Sequence, residues 1–413
     1  MRKQLFQNIG IVFSGSTISQ AIFLVATIFL TRLYSPAVFG AFAIFLAWTN
    51  ILGLLFTARY DTVIPLPLSS KETNNLLWGA GAISTCFLLL GTMLSLVICS
   101  LKGYDLQLNP FSVILGAYFL GAISLLHFSL IRWGLYSMLS GALILFALAV
   151  SGFQLGLYFI SSAGGLVNGY LWGAGLTLLL AGTLIIKTPI ERPNIQHIIV
   201  TLKKYFSIIK WSLPSGLLNT MTNNVQPLLI GLAFGNKEAG FFFLAYKLIG
   251  APINLISGSI SQVFFKEAAI ALQRNDRQLL LTLLKNISFF MAVVLALFFI
   301  ALFFLAGFLF GTFFGEEWMR SSLIVIWLIP YFLGKGFFHP VSFLAEALDK
   351  TKLELQFSLI SFLNMMADIA AGYYFDSLKI FILIFSISTG VAYLFLWVIF
   401  FKIVSKGNYE RKV

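Results

Sequence analysis

Apolar runs of about 20 residues or more, separated by short polar turns, recur along the whole 413-residue chain. Each run can cross the ~30 Å hydrocarbon layer as an α-helix. Membrane-spanning strands leave shorter segments of alternating polarity, a pattern this chain lacks. The pattern predicts an all-α polytopic membrane protein with about twelve transmembrane helices. The predicted spans cover 9–31, 38–57, 75–100, 110–131, 136–160, 163–186, 207–234, 239–265, 286–312, 320–347, 353–375 and 378–402. Only Ser161 and Ser162 part the fifth from the sixth, so that boundary is the least marked. The first run follows a short basic head, as in a signal peptide, but it extends past the ~7–15 residues of a signal core. It reads as a retained first helix.

Composition agrees with the pattern. The chain is 59% hydrophobic and 10% charged, too little charge to cover a soluble domain of this size. Cys86 and Cys99 fall in one apolar span, so no disulfide framework is expected. The net charge of +12 does not call for a nucleic-acid partner, because its sources sit in the turns. Twenty Lys and Arg lie at the N-terminus, in the loops after even-numbered spans and at the C-terminus. Five lie on the opposite side: Arg32, Lys102, Lys237, Arg320 and Lys379. By the positive-inside rule, both termini are cytoplasmic.

Two halves are expected. The segment "KTPIERPNIQHIIVTLKKYFS" places Ile195, Ile198, Ile199, Leu202, Phe206 and Ile209 on one helical face, with His197, Lys203 and Lys204 elsewhere. It reads as an interfacial amphipathic helix over 191–210, joining an N-terminal six-helix lobe (1–190) to a C-terminal one (211–413). A weak internal repeat supports this. "IFLTRLYSPAVFGAFAIFLAWTNI" (28–51) and "LIGLAFGNKEAGFFFLAYKLIGAPI" (229–253) each pair a helix end and short turn with a glycine-led aromatic helix. Gly40 and Gly240 align at an offset of 200, as do Phe42 and Phe242. Six-plus-six repeats are a recurring transporter plan.

Spans 1 and 7 carry unusual polarity: Ser14, Ser16, Thr17, Ser19 and Gln20 in one, and Ser215, Asn219, Thr220, Thr222, Asn223, Asn224 and Gln226 in the other. Such residues avoid lipid, so they face protein or a water-filled cavity. Helix–helix packing is the plain alternative. Pro214 and Pro227 should bend span 7.

Several stretches, in order along the chain, carry a family resemblance. They are "LTRLYSPAVFGAFAIFLAW" then "RYDTVIPLPLSSKE", "PLLIGLAFGNKEAGFFFLAYKLIGAPINLI" then "SQVFFKEAA", and "LFGTFFGEEWMRSSLIVIWLIPYF". Together they resemble the Wzx-type lipopolysaccharide and capsule flippases of the multidrug/oligosaccharidyl-lipid/polysaccharide exporter superfamily. The resemblance implies two pseudo-symmetric six-helix lobes around a central cavity, working by alternating access. It implies the bacterial cytoplasmic (inner) membrane as location and an undecaprenyl-diphosphate-linked oligosaccharide as substrate. It also brings in a polysaccharide polymerase and a chain-length regulator as partners beside the lipid bilayer. No cofactor is expected beyond proton or sodium coupling.

A diphosphate head needs basic partners. Lys247 stands seven residues past Gly240, ~10 Å below the external side. Two readings stay open for it, phosphate binding and snorkelling to the surface. Lys335 lies deeper, ~22 Å into span 10, with His339 one turn on and Asp368 in span 11. A structural Lys335–Asp368 ion pair stands against a sugar-contacting or proton-coupling role. Arg59 and Asp61, in "TARYDTVIP", mark the cytoplasmic mouth of span 2. An interfacial charge pair stands against head-group recognition there, and the resemblance favours function. Substrate contact is thus expected of Lys247, Arg59, Lys335, Asn223, Asn224 and Gln226. Coupling or gating is expected of Asp61, Asp368 and His339.

Two rivals remain. A cation-coupled multidrug antiporter of the same superfamily would want intramembrane carboxylates in the first half, where Asp61 and Asp105 lie near the interfaces. A membrane polymerase or ligase would want a sizeable external loop, and the loops are short.

Overall fold

The computed structural model describes residues 2–67, 69–100, 109–186, 194–274, 276–342, 344, 348 and 351–406. Lys102 and Asp105, weighed above, and residues 191–193 of the expected linker lie outside these residues. Among the described residues the regular elements are all helical. In chain order they are α1 (Arg2–Leu33), α2 (Pro36–Phe56), α3 (Ser70–Ser100), α4 (Pro110–Arg132), α5 (Tyr136–Leu157), α6 (Gly165–Ile186) and α7 (Ile195–Asn224). Then follow α8 (Gln226–Phe234), α9 (Asn236–Gln273), α10 (Arg277–Leu309), α11 (Met319–Phe338), α12 (Thr351–Tyr374) and α13 (Leu378–Lys406).

Eleven helical segments among the described residues are long and apolar enough to cross a membrane. The difference from the expected twelve lies at 207–234. There the chain forms a polar helix, α7, and a nine-residue helix, α8, parted at Val225. Pro227 cannot donate a backbone N–H, which explains why the helix stops short of it. Pro214, in contrast, sits inside α7 without ending it. The amphipathic segment and the front of span 7 are therefore one continuous helix, opened by Asn194, whose side chain accepts from the Gln196 N–H at 3.0 Å.

The chain forms two compact units, Met1–Gly231 and Leu232–Val413. In the first, α5 packs on α1 and α6, α4 on α2 and α3, and α7 on α2 and α3. Small residues allow the closest approaches: a Cβ on Gly169 would meet the Gln154 backbone at 2.6 Å. Beneath α7 lies a cluster of Tyr60, Val63, Ile64, Leu76, Ala80 and Ile209, flanked by Leu202, Tyr205 and Leu213. Polar contacts add to it. Glu72 accepts from Lys204 at 2.7 Å and from Tyr205 at 3.1 Å, and Asn75 donates to Thr201 at 3.1 Å. The bond to Glu72 holds the Lys204 ammonium above the usual lysine range, and burial raises the Tyr60 phenol.

In the second unit, α11 packs on α9 and α13, and α12 packs on α13. The backbones of Gly334 and Gly390 touch so closely that a Cβ on either falls on the other helix's backbone.

The repeated helices α2 and α9 share a register. Phe42 and Phe242 are both buried, and so are Phe45 and Ala245. At the next matched position Ala47 is sealed in the core of its unit, whereas Lys247 is half-buried.

Candidate functional site

The "RYD" turn leaves α2 through two consecutive left-handed residues, Ala58 (φ 46°) and Arg59 (φ 63°). Side chains with a Cβ occupy that region at a cost. Here the turn is held from within. Thr57 Oγ1 accepts from the Arg59 N–H at 3.3 Å and donates to Asp61 at 3.0 Å. Asp61 is buried and also accepts from Ser124 of α4. Arg59 points the other way, to α7, where its Nε donates to Ser212 at 3.3 Å. Its guanidinium covers Gly216. The two charges of the motif thus serve different neighbours instead of forming the interfacial pair weighed from sequence.

The amides of α7 sort into separate roles. Asn224 accepts from Asn50 of α2 at 3.0 Å and donates to the Thr220 carbonyl at 2.8 Å. Gln226 is buried and donates to the Thr222 carbonyl. Asn223 donates to the carbonyl and side chain of Asn219, each at 2.8 Å. Side chains bonding back one turn satisfy carbonyls at a helix end. Much of the polarity that drew attention to span 7 is used in closing the break at Val225. Asn223 is partly exposed, beside exposed Asn219.

In the second unit, Lys247 Nζ lies 5.8 Å over the Phe243 ring, one turn toward the start of α9. Since α9 begins at Asn236, Lys247 is eleven residues in, ~16 Å along the helix.

Lys335 sits among tyrosines. Its Nζ donates to Tyr331 Oη at 3.1 Å and stands 5.4 Å from the Tyr331 ring centre and 5.9 Å from that of Tyr246. Tyr246 and Tyr331 share a hydroxyl–hydroxyl bond of 3.0 Å. Asp368 is buried elsewhere, accepting from Asn364 at 3.3 Å and from Ser388 of α13 at 3.0 Å. Lys335 and Asp368 therefore satisfy separate networks and not one ion pair. His339 opens a short turn, His339–Val341, and its Nδ1 is buried with no bonding partner among the described residues.

Sequence reasoning passed over Asn50, Ser124, Tyr246, Tyr331, Asn364 and Ser388. Two signals could have found part of this set. Tyr331 and Lys335, and likewise Asn364 and Asp368, are spaced i, i+4 within apolar helices, which puts each pair on one face.

A profile of the family described as "Polysaccharide biosynthesis protein" matches residues 29–323. The chain belongs to this family. Solved structures share the fold of this polysaccharide biosynthesis protein. The lipid II flippase MurJ, in an inward closed conformation, superposes with a TM-score of 0.73 at 16% identity, over 96% of this chain and 87% of that one. A MATE transporter of Vibrio cholerae, VcmN, gives 0.57 at 14% identity, over 98% and 97%. A MOP superfamily transporter from Pyrococcus furiosus gives 0.55 at 13% identity, over 98% and 96%. At such identities the likeness is one of fold. No curated protein matches the chain. The chain is thus a multi-pass helical membrane protein of the polysaccharide biosynthesis family, with the fold of these solved transporters.

Proposed function

We propose that this protein is a flippase. It carries polyprenyl-diphosphate-linked oligosaccharide repeat units from the cytoplasmic to the external leaflet for surface polysaccharide biosynthesis: O-antigen, capsule or exopolysaccharide. The observation that supports this most is the family match over 29–323 on a chain whose fold is that of a solved lipid II flippase. The chemistry of the chain agrees with it. Deep lysines at 247 and 335 and the arginine at 59 suit an anionic head group.

In this reading the lobes 1–190 and 211–413 move by alternating access. Arg59 in the first unit, and Lys247 and Lys335 in the second, each offer positive charge to an anionic head group, and Asn223 offers a neutral amide. Asn224 and Gln226 act indirectly, by shaping the α7–α8 break. Asp61, Asp368 and His339 are the groups for proton or sodium coupling. The termini face the cytoplasm in the inner membrane, where a polymerase and a chain-length regulator would receive the product.

The rival is a cation-coupled multidrug antiporter, favoured by one observation: Asp61, placed at an interface from sequence, is buried in the first unit. Deleting the protein separates the two. The flippase reading expects the lipid-linked oligosaccharide to accumulate on the cytoplasmic leaflet and surface polysaccharide to be lost. Unchanged polysaccharide with raised drug sensitivity would favour the antiporter.

A further inference from the structure

The six apolar residues that share one face of the amphipathic segment by sequence divide in the structure. Ile198, Leu202 and Ile209 turn inward, to α3 and the cluster beneath α7. Ile195, Ile199 and Phe206 do not follow them: they are 73%, 48% and 55% exposed. At about 100° per residue these three fall within ~40° of one another around the helix. Lys203 and Lys210, both exposed, come next, ~20–40° past Ile199 and ~10 Å apart along the axis. No carboxylate lies anywhere in α7, and Glu72 of α3 answers Lys204, not these two lysines. The outer face of α7 is thus an apolar stripe with a basic edge.

Its contacts with α3 give its depth. α3 is itself long and apolar enough to cross a membrane. Lys204 and Tyr205 reach Glu72, Thr201 reaches Asn75, and Ile198 and Leu202 cover Gly79. These contacts fall two to nine residues past Ser70, the first residue of α3, so ~3–14 Å along it. That is the first few turns of a span, where headgroups meet acyl chains. Toward its own start α7 runs deeper, since Ile198 lies against Gly79 and Lys204 against Glu72. Ile195 and Ile199 therefore lie at acyl depth, and Lys203 lies nearer the headgroups. A helix with an apolar face and basic flanks at this level rests in the interface and is drawn to anionic lipid.

We infer that Ile195, Ile199, Phe206, Lys203 and Lys210 form a seat for an anionic phospholipid of the adjoining leaflet. The apolar side chains take the upper part of an acyl chain, and the two ammonium groups take the headgroup phosphate. The seat bears on the site described above. α7 also carries Ser212 and Gly216, which meet Arg59, so a lipid that fixes the start of α7 steadies the surface on which the arginine rests. The seat itself does not depend on the flippase reading; only its effect on export does.

The test uses the purified full-length protein in phosphatidylcholine nanodiscs. Ser207, exposed between the two lysines, carries a bimane through Ser207→Cys, with Cys86→Ser and Cys99→Ser removing the other thiols. Phosphatidylglycerol or phosphatidylcholine with a nitroxide on its acyl chain is added in trace amount, and quenching reports which lipid gathers there. Phosphatidylglycerol should be favoured about tenfold or more, as two lysines at a membrane surface would give. Lys203→Gln/Lys210→Gln should bring the two lipids to within about twofold of each other. Lys402→Gln/Lys406→Gln, at an exposed basic pair near the end of α13, should leave the preference as it is. Equal quenching by both lipids in the parent would overturn the seat, and so would a preference that survives in the Lys203/Lys210 variant. An equal loss in the Lys402/Lys406 variant would also overturn it, by assigning the preference to the charge of the whole protein. The assay needs no translocation. If the deletion strain accumulates no lipid-linked oligosaccharide while the preference still requires Lys203 and Lys210, the transport reading fails and the seat stands.

Discussion

The guanidinium of Arg59 occupies the space a side chain at Gly216 would need: its Cζ lies 3.0 Å from the position of a Cβ there. The arginine of the turn after α2 and a glycine of α7, far apart in sequence, are thus matched surfaces. Gly216→Ala should push the guanidinium aside without charge loss. Export should fall toward the level of Arg59→Ala while protein abundance holds. The comparison of surface polysaccharide among Gly216→Ala, Arg59→Ala and Arg59→Lys checks this. Normal export in Gly216→Ala would mean that the position of Arg59 does not matter.

Asp61 holds the same turn from below. Removing its carboxylate in Asp61→Ala leaves the Thr57 and Ser124 hydroxyls without their acceptor, a loss of about 1–3 kcal/mol. The thermal midpoint in detergent should drop clearly for Asp61→Ala and less for Ser124→Ala. Equal midpoints for parent and Asp61→Ala would remove the anchoring role.

Gly334 and Gly390 set the distance between α11 and α13. A methyl at Gly334 meets the Gly390 carbonyl, a backbone atom that cannot swing away. Overpacking of this kind costs about 1–3 kcal/mol, and Gly334→Ala should melt earlier than the parent. Gly307→Ala, with open space around its Cβ position, is the control and should melt like the parent.

Lys247 decides between two readings that differ in outcome. If it binds phosphate, Lys247→Ala should lower export about tenfold or more and Lys247→Arg should recover part of it. If it snorkels, both variants at matched expression should export normally. The first outcome is expected, since the chain keeps a half-buried charge where the repeated helix has buried Ala47.

Asp368 sits between two neutral donors, Asn364 and Ser388. Asp368→Asn keeps the shape of this network and removes its charge. Export driven by an ion gradient should fall steeply in Asp368→Asn, and substrate binding without a gradient should persist. Gradient-driven export at the parent's rate in vesicles would exclude Asp368 from coupling.

Much of the fold was legible because lipid imposes one rule, that apolar runs become helices. The rule weakens where a helix is polar, so α7, with its Asn and Thr residues, did not read as separate from the short apolar α8. The amphipathic face of 195–209 was legible from its isoleucines; its continuity through Pro214 was not, because proline propensity alone argues for a stop. For the site, the rare charges stood out against the apolar background, so Arg59, Asp61, Lys247, Lys335 and Asp368 were found one by one. Their partners were hidden for two reasons. Tyr246, Tyr331 and Asn50 carry no charge to mark them, and the Tyr246–Tyr331 and Asn50–Asn224 bonds join helices distant in the chain. The Lys335–Asp368 pair was one of two readings weighed from charge alone. The i, i+4 neighbours Tyr331 and Asn364 took those places instead.

The central claim is translocation, and reconstituted vesicles test it most directly. The purified protein is placed in liposomes with a polyprenyl-diphosphate-linked oligosaccharide on the inner leaflet, and an impermeant sugar-modifying enzyme is added outside. The account predicts that sugar becomes accessible with time in protein-containing vesicles, and far more slowly in empty ones or with Lys335→Met. Accessibility no faster than in empty liposomes, from protein that is folded and correctly inserted, would contradict it.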